Sequence, residues 1–175
     1  MQDFRAYGPN QIWMSDLTYV RTRQGWLYVC AIIDLYSRHI VGWAASSRMT
    51  TDLVMQAYLR ACRDRHPGKN LIFHSDRGSQ FASHEFRKIL AQKGHIQSMS
   101  RRGTCWDSAP IESFWHTLKT ELVYWERYRT RDQALLSIRA WIDGDYNPYR
   151  PHSSLGNLSP KQFERKGMTM RARTV

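Results

Sequence analysis

The sequence predicts an α/β domain in which helices flank a five-stranded mixed sheet. Three strand-like segments come before the first helical segment, which predicts an antiparallel meander. Two more strand-like segments each follow a helical segment, as strands reached through crossover helices do. The predicted order is β-β-β-α-β-α-β-α-α. Because no repeat or long linker interrupts it, we expect a single domain over residues 1–175.

The meander is predicted from the spacing of apolar side chains. Residues 16–22 alternate between apolar and polar side chains, so Asp16 is expected to open the first strand. Residues 26–33 are almost wholly apolar, which is typical of a central strand covered on both faces. After a turn at residues 34–38, residues 39–45 supply the third strand.

Helices and strands alternate in the rest of the chain. Thr51 is the expected N-cap of a helix that ends at the "HPG" of residues 66–68. A strand at residues 70–75 and a helix over about 83–93 follow. The remaining expectations are a short strand at 96–100, a basic loop at 101–110, a long helix from about Ser108, a helix over about 131–145, a Pro-rich closing segment from about 147, and a last helical turn or two at 160–166.

The net charge of +11 indicates a polyanionic partner. Lys and Arg number 26 against 15 Asp and Glu, and 20 of the 26 are Arg, the cation better suited to bidentate phosphate contact. Basic residues exceed acidic ones by 13 to 7 in residues 1–100 and by 13 to 8 in residues 101–175, so the charge is not confined to a tail. We therefore predict that the protein binds nucleic acid.

Two classes of protein are disfavoured by the composition. Cys30, Cys62 and Cys105 are too few and too far apart for a disulfide framework or a structural zinc site. The sequence has no stretch of about 20 apolar residues and no apolar signal core at its beginning. A cytoplasmic location is therefore expected.

Three acidic residues can meet at one point of such a fold. Asp16 lies on the first strand, Asp76 follows the fourth strand within "HSDRGSQF", and Glu112 lies in the first turns of the long helix. If strands one and four are neighbours, their ends bring Asp16 and Asp76 side by side. At about 100° per residue, Glu112 shares a helix face with His116 and Lys119, away from the apolar face. For the helix considered alone, an ordinary solvated face explains this stripe as well as an active-site wall does.

Carboxylates held this close together would require a cation. Three of them repel one another unless a positive ion lies between them. Oxygen ligands favour Mg²⁺ or Mn²⁺ over zinc. Two such ions about 4 Å apart can activate an attacking oxygen and stabilise a leaving oxygen on phosphorus. A metal-dependent reaction on a nucleic-acid backbone therefore fits both the carboxylates and the charge.

Four segments of the sequence resemble, in order, signatures of the DDE transposase and retroviral-integrase catalytic cores. They are "IWMSDLTYV", "HSDRGSQF", "SRRGTCWDSAPIESFWHTLKTE" and "YNPYRPHSSLGNLSP". The 35 residues between Asp76 and Glu112 match the family's D-D(35)E spacing, and Lys119 follows the glutamate by seven positions. The resemblance covers about residues 10–165, and the last segment is similar to the ending of bacterial insertion-sequence transposases of the orfA/orfB type.

The resemblance implies a ribonuclease H-like fold and a specific reaction. A transposase core of this kind would cleave DNA at the ends of an insertion element and join the released 3′-OH to target DNA, with no covalent protein–DNA intermediate. It would use two divalent ions, with Asp16 bridging both and Asp76 and Glu112 each completing one site. Lys119 would hold the DNA end by a phosphate.

The resemblance also implies partners. The family's N-terminal helix-turn-helix recognition domain is not found in this sequence, so such a domain or a separate recognition protein is an expected partner. The other expected partners are the DNA of the element ends and the target, and further copies of the chain, which would form at least a dimer on DNA.

Further residues are candidates for DNA contact. Arg101 and Arg102 lie on the Gly-containing loop before the long helix, where phosphate contact and a solvated loop both fit. Arg77 and Gln80 follow Asp76 closely, and Gln80 would serve equally well to brace its own loop. His116 belongs to the helix face of Glu112.

The roles of several neighbours stay open on the sequence alone. His74 alternates with Asp76 on one strand face, which suits a residue lining the site and a satisfied core histidine equally. Gly78 is expected to allow a sharp backbone turn beside the ions. Packing on the core and DNA contact both suit four residues of the closing segment: Tyr146, Asn147, Arg150 and His152.

Two alternative functions also stay open. A nuclease of the same fold would only hydrolyse DNA, and the same ions would serve it. A non-enzymatic DNA-binding or dimerisation module would keep the fold without the reaction. The intact set of acidic residues counts against the module, and only the four matched segments favour strand transfer over hydrolysis.

Overall fold

The computed structural model describes residues 5–100 and 109–172. Its strands are β1 (Ile12–Thr22), β2 (Gly25–Asp34), β3 (Ile40–Ser46), β4 (Ile72–Ser75) and β5 (Ile96–Met99). Its helices are α1 (Thr51–Arg65), α2 (His84–Gln92), α3 (Ala109–Glu121), α4 (Arg131–Trp141), α5 (Asn147–Tyr149) and α6 (Pro160–Ala172). A π-helical turn at Ile142–Tyr146 joins α4 to α5, and 3₁₀ turns occupy Val123–Trp125 and Ser153–Leu155. Within these ranges, no helix is both long enough and apolar enough to cross a membrane.

The five strands form the mixed sheet that the sequence predicts. β1, β2 and β3 pair antiparallel, and β4 and β5 extend the sheet by parallel pairing, which gives the order β3-β2-β1-β4-β5. The last pair between β1 and β4 joins Ser15 to Ser75. Because these two strands run in the same direction, the next residue on each, Asp16 and Asp76, emerges at the same end of the sheet.

β1 begins earlier than the alternating pattern indicates, so the prediction that Asp16 opens it is wrong. The strand starts at Ile12, and residues 12–15 are all buried. Trp13 packs in the apolar layer shared with α1 and α2, and Met14 packs in the layer shared with α3 and α4, so both faces of this part of β1 are covered and no alternation appears. Even the hydroxyl of Ser15 is satisfied internally, since it donates to the carbonyl of Ala31 at 3.0 Å.

β2 is covered on both faces, as its apolar run predicts. Val29, Ala31 and Ile33 belong to an apolar layer shared with α3 and α4. Cys30 and Ile32 belong to the opposite layer, shared with α1 and α2. The sheet is therefore the middle of three layers, and β1, which also carries Asp16, runs next to its most buried strand.

Gly42 allows α1 to lie directly on β3. A Cβ added to Gly42 would come within 2.6 Å of the carbonyl oxygen of Ala57 and within 2.6 Å of the Cβ of Ala61. Backbone atoms at that distance can give way only if the whole helix shifts.

Replacing Gly42 by Ala is therefore expected to lower the free energy of unfolding by about 1–3 kcal/mol, the usual cost of overpacking a filled core. Urea denaturation followed by tryptophan fluorescence measures the loss. Gly144→Ala is the matched control, because a Cβ at Gly144 meets nothing within 4 Å. Equal stability of the two variants would contradict the close packing of α1 on β3.

The closing segment packs on the core. The side-chain amide of Asn147 donates to the carbonyl of Ile40 at 3.1 Å and accepts from its N–H at 2.9 Å, so it pairs with the edge of β3 as a strand would. The buried ring of Tyr146 packs against Phe114 of α3 with centroids 5.0 Å apart. α6 then extends well beyond the turn or two that the sequence indicates, and Ser159 caps its beginning while donating to the carbonyl of Pro148.

Candidate active site

The first half of β1, the end of β4 and the first turns of α3 enclose a cleft of about 170 Å³. Asp16, Asp76 and Glu112 all line it. Parallel pairing of β1 with β4 brings the two aspartates side by side, one residue past the last pair, and packing of α3 across the sheet brings the glutamate to them. The three carboxylates named from the sequence therefore share one site.

Asp16 is half-buried and held by two hydrogen bonds. Its Oδ1 accepts from the N–H of Leu17 at 2.7 Å, and its Oδ2 accepts from the indole N–H of Trp115 at 3.1 Å. Burial raises the pKa of Asp16 above its ordinary value, and the charges of Asp76 and Glu112 raise it further, while the two hydrogen bonds lower it. Negative charge therefore accumulates around Asp16 in this cleft.

Trp115 is a site residue that lies on the apolar face of α3. It is 6% exposed and packs in the layer beneath α3, yet its N–H points to Asp16. A buried indole N–H needs an acceptor. The position of Trp115, three residues after Glu112, was the only signal in the sequence that could have connected it with the site.

Asp76 is exposed and is oriented by its own turn. Its Oδ1 accepts from the N–H of Gly78 at 3.0 Å. The chain turns at Gly78, whose carbonyl accepts from the N–H of Phe81 at 3.0 Å, but its backbone does not adopt the left-handed conformation that requires glycine. Its importance is space: a Cβ there would lie 3.0 Å from Asp76 Oδ1 and 3.2 Å from Gln80 Oε1.

His74 lines the cleft and is also a satisfied core histidine. It is 2% exposed, and its ring nitrogens hydrogen-bond with the hydroxyls of Ser98 at 3.0 Å and Ser100 at 3.1 Å. These bonds fasten the end of β4 to β5, so both readings of His74 hold.

The two candidate DNA contacts beside Asp76 are engaged within the protein. Arg77 is exposed, and its Nε donates to the carbonyl of Ser100 at 2.9 Å. Gln80 is half-buried, and its amide donates to the carbonyl of Met49 at 3.5 Å. Arg77 still presents charge beside the cleft, whereas Gln80 braces the loop.

The candidates on α3 lie along the face of Glu112. His116 is exposed. Lys119 is half-buried, with its Nζ 5.6 Å from the ring centroid of Tyr19. Arg101 and Arg102 lie outside the described residues.

The donor set suits a hard divalent cation. The three groups offer only carboxylate oxygens, which Mg²⁺ and Mn²⁺ prefer. Within residues 5–100 and 109–172, no group of three or more His, Cys, Asp or Glu side chains is close enough together to hold an ion as it stands. Asp76 and Glu112 are exposed and Asp16 is fixed, so small rotations of the first two would have to complete a site.

The sequence matches a known domain family and bacterial insertion-element proteins. A family model described as an integrase core domain matches residues 6–105, and a second with the same description matches residues 93–160. The chain is 47% identical over 171 residues to the insertion element IS600 uncharacterized 31 kDa protein of Shigella sonnei, covering 98% of this chain and 63% of that protein. It is 44% identical over 167 residues to transposase InsF for insertion sequence IS3A of Escherichia coli K12, covering 95% of this chain and 58% of that protein. The chain thus spans about 60% of the length of these relatives.

Solved viral integrases share the fold. A chain of the simian T-cell lymphotropic virus intasome in complex with PP2A regulatory subunit B56 gamma gives a TM-score of 0.75 at 16% identity, over 91% of this chain and 56% of that one. The HTLV-2 integrase catalytic core domain in complex with magnesium gives a TM-score of 0.69 at 18% identity, over 91% of this chain and 99% of that one. The fold is therefore the predicted ribonuclease H-like fold. Since the first family model covers more than half of the sequence, the chain belongs to the integrase core domain family.

Proposed function

We propose that this chain is the catalytic core of a DNA transposase, which cleaves DNA at the ends of an insertion element and joins the released 3′-OH to target DNA. The observation that carries the proposal is the convergence of Asp16, Asp76 and Glu112 on one cleft. Membership of the integrase core family and 44% identity to a transposase for an insertion sequence support it. The net charge of +11 suits a polyanionic substrate.

Asp16, Asp76 and Glu112 would together hold Mg²⁺ or Mn²⁺, with two ions in the active complex. A cation there would offset the repulsion that contributes to the raised pKa of Asp16. The HTLV-2 core, which shares this fold, was solved in complex with magnesium. Bound ions would supply activation of an attacking oxygen and stabilisation of a leaving oxygen on phosphorus.

The chain's own hydrogen bonds would fix the direction of one of these ligands. The N–H groups of Leu17 and Trp115 hold the carboxylate of Asp16. A carboxylate locked in this way presents its remaining lone pairs in a constant direction. Asp76 and Glu112, which are exposed, would then rotate onto an ion that Asp16 already holds.

Attack by water or by a DNA 3′-OH, without a protein nucleophile, agrees with the serines of the cleft. The hydroxyl of Ser15 donates to the carbonyl of Ala31 at 3.0 Å, and that of Ser75 donates to the carbonyl of Asp76 at 3.0 Å. Neither is paired with a base that could activate it. No covalent protein–DNA intermediate is therefore proposed.

The cations around the cleft would position the DNA. Lys119 and His116 follow Glu112 on one face of α3, where Lys119 would bind a phosphate of the DNA end. Arg77 would contact the backbone beside Asp76. Arg101 and Arg102, which precede α3 in the sequence, would also contact the DNA backbone.

Two copies of the chain would be needed to join two element ends, so we propose at least a homodimer on DNA. The HTLV-2 core was solved in dimeric and trimeric forms, and the simian virus chain was solved as part of an intasome. Recognition of the element ends would come from a further domain or a separate protein, because sequence-specific readout is not provided by three carboxylates and backbone contacts.

The test is a pair of gel assays in Mg²⁺ or Mn²⁺. One uses duplexes that end in the element's terminal repeats and detects nicking and joining. The other uses a branched duplex that holds a 3′-OH beside the junction phosphodiester. This substrate tests the chemical step without requiring recognition of the element ends. We expect resolution and rejoining of the branched DNA that stops when EDTA removes the metal, and no reaction on an unbranched duplex of random sequence. Hydrolysis without a joined product, or no metal-dependent reaction by the folded chain, would contradict the proposal.

A further inference from the structure

A groove of about 900 Å³ lies at the C-terminal end of α3, beyond the active-site cleft. It is bounded by the tip of the β1–β2 hairpin, the last turn of α3 and residues 123–128. None of the three carboxylates lines it. We call it the hairpin groove.

Three exposed aromatic side chains line the hairpin groove. Tyr19, Trp26 and Tyr124 are 54%, 44% and 71% exposed. Tyr19 and Trp26 pack edge to face, with ring centroids 5.0 Å apart and planes at 80°, so each ring fixes the orientation of the other. Large exposed rings gathered in one concavity are typical of a binding surface.

The charges of the hairpin groove are complementary to a polyanion. Arg21, Arg23, Lys119 and Arg127 line it, and Glu126 is its one carboxylate among the described lining residues. The three arginines are exposed. These cations are therefore available to phosphates.

The walls of the hairpin groove are held in place before any ligand arrives. The N–H of Arg23 donates to the carbonyl of Tyr128 at 3.1 Å, which ties the hairpin to the segment after α3. The Nε of Arg131 donates to the carbonyl of Trp26 at 3.0 Å, which ties the same hairpin to α4. Binding would therefore cost little ordering of the protein.

The position of the groove relates it to the reaction. Lys119 lies seven residues after Glu112 on the same face of α3, about 10 Å along the helix. Tyr19 lies three residues after Asp16, about 10 Å farther along the main chain of β1, and its ring centroid is 5.6 Å from the Nζ of Lys119. A strand leaving the cleft would reach the groove within about three nucleotides at about 3.4 Å each.

We propose that the hairpin groove binds two or three unpaired nucleotides of the DNA strand that leaves the active site. Their bases stack on Tyr19, Trp26 and Tyr124, and their phosphates pair with the surrounding arginines. Duplex DNA keeps its bases stacked on one another and cannot offer their faces to three rings, so the occupant is single-stranded. The inference rests on the proposed function, since the strand is that of the DNA which the cleft would cut.

The experiment compares two DNAs in metal-free buffer, so that binding is measured without catalysis. One is a blunt duplex, and the other is the same duplex with a three-nucleotide unpaired extension. Fluorescence anisotropy gives their dissociation constants for the whole chain. We expect Tyr124→Ala to weaken binding of the extended duplex about tenfold, the usual effect of losing one stacked base, and to leave the blunt duplex within about twofold. Tyr124→Phe is expected to keep the wild-type affinity, because the ring remains.

Tyr149→Ala is the matched control. Tyr149 is also 71% exposed but lies outside the hairpin groove, so its loss is expected to change neither constant. An equal loss on both DNAs for Tyr124→Ala, or no loss on either, would overturn the proposal. So would a Tyr124→Ala variant that changed only the oligomeric state in sedimentation, because the groove would then be an interface between copies.

The outcomes separate this inference from the proposed function. The dissociation constant for the extended duplex is measured without metal, whereas the proposed function is tested by metal-dependent rejoining of the branched DNA. Selective loss of extension binding in Tyr124→Ala, with no rejoining by the wild-type chain, would refute the transposase chemistry and leave a single-strand site. Normal rejoining with no preference for the extension would refute only the hairpin groove.

Discussion

Replacing Asp76 by Asn is expected to abolish both nicking and strand transfer, with a rate loss of at least about a thousandfold, or about 4 kcal/mol in activation free energy. Asn has the shape of Asp and can still accept the hydrogen bond from Gly78. It lacks the negative charge with which a carboxylate binds a hard divalent cation. Single-turnover rejoining of the branched DNA in Mg²⁺ measures the effect.

The fold and the DNA affinity of the Asp76→Asn variant should survive. Its melting temperature is expected to equal or exceed that of the wild type, because one of the charges that raise the pKa of Asp16 is gone. Asp132→Asn, in the exposed first turn of α4, is the control and should keep the wild-type rate. Metal-dependent cleavage that persists in Asp76→Asn would remove Asp76 from the proposed set of ligands.

The fold could be predicted where a segment's environment is uniform along its length. β2 is covered on both faces from Val29 to Ile33, and its apolar run over these residues predicts this. β1 has a buried first third and a half-exposed remainder, so a single period does not describe it. Its true start at Ile12 follows from pairing with β4, which is a tertiary contact that local sequence does not encode.

The parts of the site that could be predicted are those whose position follows from the path of the main chain. Asp16 and Asp76 each follow the last pair of two neighbouring parallel strands, so strand order alone brings them together. The hydrogen bond from Trp115 to Asp16 depends on a rotamer and on the depth at which α3 packs. The hairpin groove was missed for a similar reason, because Tyr19 and Tyr124 come from segments about 100 residues apart.

α6 is fastened to the core by a buried ion pair. The Nη1 and Nη2 of Arg65 donate to the two carboxylate oxygens of Glu164 at 2.8 and 2.6 Å, and Ser37 donates a third hydrogen bond at 2.7 Å. Burial by itself would raise the pKa of Glu164, but these bonds and the charge of Arg65 hold it below its ordinary value. Arg65 lies farther from Asp34, at 3.7 Å, and burial raises the pKa of that carboxyl to about 6. The arginine thus belongs mainly to Glu164.

Replacing Glu164 by Ala is expected to lower the free energy of unfolding by about 3 kcal/mol, the low end for breaking a buried pair, because the largely buried guanidinium of Arg65 would lose its bidentate partner and keep Asp34 at 3.7 Å. Urea denaturation followed by tryptophan fluorescence measures the loss. Asp64→Ala is the matched control: it also breaks an ion pair of α1, but Arg63 and Asp64 are 71% and 54% exposed, so water replaces the lost contact and stability should hardly change. If Glu164→Ala were as stable as Asp64→Ala, apolar contacts such as Phe163 against Tyr36, 5.1 Å apart, would have to hold α6 instead.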